Sequence, residues 1–353
     1  MQLGDVSSIL MGQAPPGEDC NLEQNGVPFV KVGNFGNSEP RIEEWTTNPK
    51  RMANKSDVLI CVVGATCGKL NFGIECAIGR SVAAIRPESG KLNRNYLFHY
   101  LKKWVLRLRE KSQGSAQGVI TKKMLEIIPI PNHTIQEQIR IAAILDKADE
   151  ITKNTQESEE LRKIFTHSLF IDIFGDPRIN PMNWKEERIE NLCERIFAGG
   201  DVPKDSLSEE YTSVFNIPIF SNGKAEKALY GFTSIPKVDK DSVTVAGRGI
   251  GIGYSVVRKA PFYPIIRLIV ATPNTEKVNL QYLCSAISYL EFGKGGSAIP
   301  QLTVPMLKSR TVLVPPIELQ EKFSLILELM RNIPISTNLT ENNSLSITQE
   351  LLT

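Results

Sequence analysis

Apolar positions along the chain follow two patterns that alternate twice. Short apolar runs, Val58 to Val63, Val243 to Ala246 and Ile265 to Val270, are bounded by Gly and Pro and predict strands joined by loops. Tyr96-Leu97-Phe98 through Leu108 instead carries apolar residues at helical spacing, with Lys102, Lys103, Arg107 and Arg109 between them. After Pro131, Thr134-Ile135-Gln136-Glu137 fits a capping box, in which the Thr hydroxyl and Glu carboxylate satisfy free amide N–H groups at a helix start. From Ile144, the positions Ala148, Ile151, Thr155, Ser158, Arg162, Phe165 and Leu169 keep the alternating spacing of a coiled-coil seam with a polar middle. No Gly or Pro intervenes up to about Phe174, which predicts a helix of roughly 40 residues and about 60 Å. Gly175-Asp176-Pro177 stops it, and the segment to Trp184 reads as a linker. A second, shorter helix, from about Glu318 to Arg331, places Leu319, Phe323, Ile326 and Met330 on one face and is broken by Pro334.

The alternation reflects an internal repeat. Gly114-Ser115-Ala116, Ile120-Thr121 and Met124-Leu125 recur as Gly296-Ser297-Ala298, Leu302-Thr303 and Met306-Leu307, an offset of 182. Ile128-Pro129-Ile130-Pro131, leading to Gln136-Glu137, matches Val312-Leu313-Val314-Pro315, leading to Gln320-Glu321, at 184, so a two-residue slip is expected between the blocks. Asp57, Val63-Gly64 and Gly68 find counterparts in Asp241, Ala246-Gly247 and Gly251, and Asn95-Tyr96-Leu97 in Gln281-Tyr282-Leu283. Ordered blocks at nearly constant offset indicate a tandem duplication. The expected fold class is α+β, with two duplicated α/β modules. We place the first module at 1–132, a long central helix at 133–174, the second module with its leading linker at 175–316, and a closing helix and tail at 317–353.

Composition narrows the classes without choosing one. The 353 residues are 41% hydrophobic and 23% charged, the profile of an ordinary globular protein with room for two domains. Six cysteines (Cys20, Cys61, Cys67, Cys76, Cys193 and Cys284) form no C-x-x-C pair, and His99, His133 and His167 are far apart, so no structural zinc site is expected. No signal peptide or bilayer-spanning run is apparent, and a reducing, cytoplasmic compartment is expected. The formal charge is only +2, yet it is unevenly spread. Lys102 to Lys123 holds seven basic residues against Glu110, and Lys240 to Arg267 holds five against Asp241. Asp146 to Glu160 carries six acids against Lys147 and Lys153. A solvated helix face accounts for any one such run; recurrence in both halves points instead to modules that meet the phosphates of a duplex, with acidic helices that do not.

Motifs for chemistry fail in detail. Gly64-Ala65-Thr66-Cys67-Gly68-Lys69-Leu70 has three residues between its glycines, not the four of a phosphate-binding loop, and lacks the Ser or Thr after Lys. Gly247-Arg248-Gly249-Ile250-Gly251-Ile252-Gly253 misses the G-x-G-x-x-G frame. The glycines are expected to make tight turns from which Lys69 and Arg248 project. The Pro-Pro pairs Ala14-Pro15-Pro16-Gly17 and Val314-Pro315-Pro316-Ile317 do not match the Asp/Asn/Ser-Pro-Pro-aromatic loop of amino-methylating enzymes, and no G-x-S-x-G elbow is present.

On these residues the chain resembles the DNA specificity subunit of type I restriction-modification systems. The resemblance is carried by Gly114-Ser115-Ala116-Gln117-Gly118-Val119-Ile120, Ile130-Pro131 and Gln136-Glu137-Gln138-Ile139, repeated in the second half, and by Leu169 through Phe174-Gly175-Asp176-Pro177 with Trp184. It implies two target recognition domains related by a pseudo-twofold and joined by long antiparallel coiled-coil helices, each reading one half of a bipartite, asymmetric double-stranded DNA site. It further implies that the helices dock two DNA adenine methyltransferase subunits, with restriction and translocase subunits joining, and no membrane. S-adenosylmethionine, ATP and Mg would belong to those partners, leaving this chain without cofactor, metal or catalytic residue. Expected DNA contacts are Lys69, Arg80, Ser115, Gln117, Lys122 and Lys123 in the first half and Arg248, Tyr254, Arg258, Lys294 and Ser297 in the second. Expected helix positions for partners are Ile144, Ala148, Ile151, Phe165, Leu169, Phe323 and Ile326. A self-contained DNA-modifying enzyme fragment and a coiled-coil interaction scaffold are the alternatives, and the interrupted closing helix leaves open whether the scaffold is completed by another chain.

Overall fold

The computed structural model describes residues 1–112, 118–223, 228–249, 251–292 and 301–332. Ser115, Gln117, Lys294, Ser297 and Pro334, and with them both Gly-Ser-Ala blocks, lie outside the described residues. The chain divides into two compact units at Glu157/Ser158, inside the long helix.

In the first unit a four-stranded antiparallel sheet runs in the order Ser7–Met11, Val82–Pro87, Val58–Cys61, Leu70–Phe72. Its central strands are buried on both faces, so alternation is invisible in the sequence. Val58 and Ile60 face a helical layer built on Tyr96, Leu97 and Leu101, while Leu59 and Cys61 face a cluster with Val30, Cys76 and Ile78 of a second sheet. In that sheet Val27–Val30 and Cys76–Ile78 pair in parallel.

The second unit repeats this plan. Its sheet runs Cys193–Ala198, Ile269–Pro273, Ser242–Val245, Ser255–Arg258, the same order and the same antiparallel pairing. Ile217–Phe220 and Tyr263–Pro264 supply the matching parallel pair. The helix Arg94–Ser112 has its counterpart in Leu280–Ser288. The Thr121-capped turn Lys122–Glu126 has its counterpart in the Thr303-capped turn Val304–Lys308, each threonine hydroxyl accepting from the amide three residues on. The duplication and the mixed α and β content expected from the sequence are both present.

The long helix spans Ile135–Phe174, 40 residues. Its capping box forms: Glu137 accepts from the Thr134 amide at 2.7 Å, and Thr134 Oγ1 accepts from the Glu137 amide at 3.3 Å. These bonds hold the exposed Glu137 carboxyl below the usual range. The closing helix spans Ile317–Asn332.

What joins each helix to its module is a buried glutamine. Gln138 accepts from the Asn93 amide at 2.8 Å and donates to the Lys91 and His133 carbonyls at 3.0 Å. Gln320 accepts from the Asn279 amide and donates to the Pro315 carbonyl, both at 2.8 Å. Both side chains are fully buried. Asn93 and Asn279 in turn accept through Oδ1 from the amides of Tyr96 and Tyr282. The register differs here from the one read in the sequence. Gln138, not Gln136, is the equivalent of Gln320, at an offset of 182, and the helix starts Ile135 and Ile317 keep that value, as do the carbonyls of Ile128 and Arg310, which accept from the Leu3 and Ile189 amides. No slip separates the blocks: the similar apolar-Pro strings misled because Pro and aliphatic residues recur at short range, whereas the hydrogen bonds do not.

The acidic run also has a role other than the one expected. Asp146 accepts from Asn95 at 2.9 Å and lies 2.7 Å from His99 Nε2, and Asp149 pairs with Lys102 at 2.5 Å. Part of the helix's negative charge is therefore spent on the basic helix Arg94–Ser112. Burial holds the His99 imidazole below the usual histidine range, against the pull of the Asp146 carboxylate.

Two outcomes are expected in urea unfolding. Gln138→Ala removes a fully buried side chain and leaves its three hydrogen-bond partners unpaired, and should cost about 2 kcal/mol, whereas Gln136→Ala, at an exposed position, should stay within about 0.5 kcal/mol. Because the unfolded chain binds a proton at His99 more readily than the folded chain does, stability should be complete above the ordinary histidine pKa of about 6.5 and fall as pH drops below it. His99→Gln should flatten the change in unfolding midpoint between about pH 7.5 and 5.5, and an unflattened curve would remove His99 as its source.

Candidate nucleic-acid interface

In each unit the central hairpin ends in a glycine-bounded loop, residues 62–69 and 246–254. Gly64 and Gly68 have φ of 92° and 87°; Gly249 and Gly253 have 82° and 80°. Only glycine takes these values without strain, which is why the loops are glycine-rich. The equivalents of Gly64 and Gly68 are thus Gly249 and Gly253, not Gly247 and Gly251 as the sequence match suggests. The second loop carries the matched bond Gly253 N–H to Ala246 O, as the first carries Gly68 N–H to Cys61 O.

Several of the described loop amides are already used. Those of Gly64, Cys67, Gly68 and Lys69 donate to Gly118, Gly64, Cys61 and Thr66 carbonyls. Those of Ile252, Gly253 and Tyr254 donate to Gly249, Ala246 and Gly251 carbonyls, and that of Gly247 to Asn222 Oδ1 at 2.8 Å. These described N–H groups are turned into the loop and are not free to cradle a phosphate chain.

Other segments converge on the same end of each sheet. In the first unit Val62 N–H bonds to Ser81 O, Ile120 N–H to Val62 O, and Val63 bridges Val119. Arg80, Lys122 and Lys123, all exposed, are therefore carried on turns that meet one loop. Lys122 lies 3.6 Å from Glu126. In the second unit Leu302 N–H bonds to Gly247 O and Arg248 bridges Gln301. Exposed Arg248 and Tyr254, the latter at the position of Lys69, stand on that loop. Ile266 and Arg267 occupy the turn equivalent to Arg80-Ser81, since Leu268 N–H bonds to Ile265 O as Val82 N–H bonds to Gly79 O.

Two expected contacts are placed otherwise. Lys69 does not project: Nζ donates to the Phe35 carbonyl at 2.6 Å, tying the loop to the neighbouring segment. Arg258 pairs with Ser242 at the end of the hairpin away from the loop, and its guanidinium lies 4.0 Å from the Phe220 ring centre. Burial holds it below the usual arginine range. Sequence reasoning missed Arg267 and Asn222. Arg267 had the right charge but no motif, and Asn222 gave no signal at all.

Of the helix positions, Phe323 is fully buried, its ring 5.8 Å and 5.4 Å from those of Phe170 and Phe174. It is core of the second unit, a correction to its expected role as a docking residue. Ala148 is also buried, and Leu169 packs against the same core as Phe323. Ile144 and Phe165 are exposed, and Ile151 and Ile326 are half-buried. Leu161 and Ile164, outside the seam, are 65% and 55% exposed beside Phe165, an apolar ridge at helical spacing.

The described residues hold no group of His, Cys, Asp and Glu arranged for a metal, and no helix among them is long and apolar enough to cross a membrane. The family model for the type I restriction modification DNA specificity domain matches residues 1–163 and 181–346, once per repeat, and the chain belongs to that family. A putative type I specificity subunit of Mycoplasma pneumoniae is 29% identical over 279 residues, 74% of this chain and 78% of that one. The putative MjaX specificity subunit of Methanocaldococcus jannaschii is 34% identical over 158 residues, 44% of this chain and 37% of that one. Among solved structures, the S subunit of a type I restriction-modification system from M. genitalium has the same fold, with a TM-score of 0.71 at 18% identity over 100% of this chain and 94% of that one.

If the loop end of the first sheet meets DNA, Arg80→Ala should lower the slope of log affinity against log salt by about 0.9. Arg258→Ala should leave that slope unchanged and lower stability instead, through lost packing on Phe220; an equal loss of slope in both variants would contradict the placement.

Proposed function

We propose that this chain is the non-catalytic, sequence-reading subunit of a type I restriction-modification complex in the cytoplasm. Each unit reads one half of a bipartite, asymmetric site in double-stranded DNA. The observation that carries this reading is the repetition of one sheet, one loop and one set of converging basic turns, with different residues on the loops of the two copies. A repeated scaffold gives the same docking geometry twice, and unlike side chains address unlike bases in the major groove.

Partner subunits supply the chemistry in this reading. Two DNA adenine methyltransferase subunits dock on the helices and bring S-adenosylmethionine, and restriction and translocase subunits bring ATP and Mg. Exposed Ile144, Phe165, Leu161 and Ile164 are the apolar positions on the long helix that suit such docking. This chain's own residues bind, orient and choose the sequence.

The test is reconstitution. Methyltransferase mixed with this chain should methylate one defined sequence, and methyltransferase alone should not; specific methylation without the chain would overturn the proposal. S-adenosylmethionine binding or metal-dependent DNA cleavage by the isolated chain would favour a self-contained enzyme instead.

A further inference from the structure

At the loop end of the second sheet, Asn222 joins two turns. Its Oδ1 accepts from the Gly247 amide at 2.8 Å, and its Nδ2 donates to the Ile266 carbonyl. Gly247 lies so close to the second turn that a Cβ built there would fall 2.9 Å from the Arg267 carbonyl oxygen and 3.0 Å from that of Leu302. Arg248 follows Gly247 directly, so Arg248 and Arg267 are mounted on two backbones in contact.

The second turn is strained. Ile266 and Arg267 have φ of 50° and 59°, the left-handed region that a β-branched residue rarely enters. Such residues cost on the order of 1–3 kcal/mol each and persist only where the surroundings dictate them. Here they do. Ile266 N–H bonds to Gly200 O and Arg267 N–H to Gly199 O. Gly199 must itself be glycine, because a Cβ there would lie 2.6 Å from the Pro264 carbonyl carbon. Asn222 closes the remaining side. The first unit ties its loop to the neighbouring segment differently, through Lys69 on the Phe35 carbonyl.

We infer that Arg267 is a specificity-determining residue for the second half of the DNA site, and that Asn222 is the positioning residue that sets it against Arg248. This rests on the DNA-reading function proposed above and assigns it to particular residues. A phosphate contact tolerates a mobile side chain and needs only charge. A guanidinium that reads guanine must place two N–H groups on O6 and N7 together, which a fixed backbone favours. An exposed arginine on a strained turn fixed by three hydrogen bonds suits the second task.

The experiment uses the chain assembled with its methyltransferase and reads methylation rates on the cognate site and on sites altered singly at each base. The wild-type complex comes first; if it shows no sequence preference, the function proposed above fails. Given that preference, Arg267→Lys, which keeps charge and loses the fork, should relax discrimination about 10-fold or more at one position of the second half and leave the first half unchanged. Asn222→Ala, which changes no charge, should relax the same position more weakly. Unchanged discrimination in Arg267→Lys, or relaxation spread over both halves, would overturn the inference while leaving the general function intact. Wild-type discrimination among first-half substitutions in Asn222→Ala confirms that the variant has folded and assembled; loss of all methylation in both variants would overturn the separation of positioning from folding.

Discussion

The structure depends on one buried hydrogen-bonding side chain used twice. Gln138 and Gln320 each enter their module one turn into a helix, where the amide of a helix-capping asparagine and a loop carbonyl would otherwise lack these partners. A buried amide that is fully paired contributes modestly, but an unpaired set is costly, so the arrangement admits one register of helix on module. That register seats the start of the long helix on the first unit and the start of the closing helix on the second by the same construction.

Upon this common frame the two units diverge where their hairpins end. The scaffold bonds are shared: glycines in left-handed conformation, loop amides turned inward, and a threonine-capped turn leading away from the loop. The side chains are not shared. Lysine in one copy is tyrosine in the other, an Arg-Ser turn becomes Ile-Arg, and the tie across the loop is made by Lys69 in one copy and Asn222 in the other. Stability resides in backbone geometry and in the buried faces of the sheet, which leaves the loop ends able to vary without loss of the fold. That division suits a protein whose two halves must recognise different sequences.

Much of this was legible in the chain itself. The capping box and the absence of Gly and Pro fixed a 40-residue helix at both ends, and repeated blocks revealed the duplication. The glycines of the incomplete motif frames make the tight turns expected of them. The register within the repeat was misread, since apolar-Pro strings match in several alignments while only the glutamine's partners distinguish them. Lys102 and Asp149 stand 47 residues apart, and nothing in a linear count of charge pairs them. Phe323 and Ala148 looked like seam residues because a heptad cannot say which side of a helix faces its own core. Asn222 was invisible because a single polar residue in a loop has meaning only through what folds next to it.

The central claim is that each unit reads its own half of the target through the loop end of its sheet. It is tested most directly by exchanging the loop at residues 246–254 for the corresponding loop of a related specificity subunit and sequencing the methylated sites in cells that also carry the methyltransferase. The account predicts that the second half of the recognised sequence changes while the first half and the spacing persist. An unaltered target, or one altered in both halves, would contradict it.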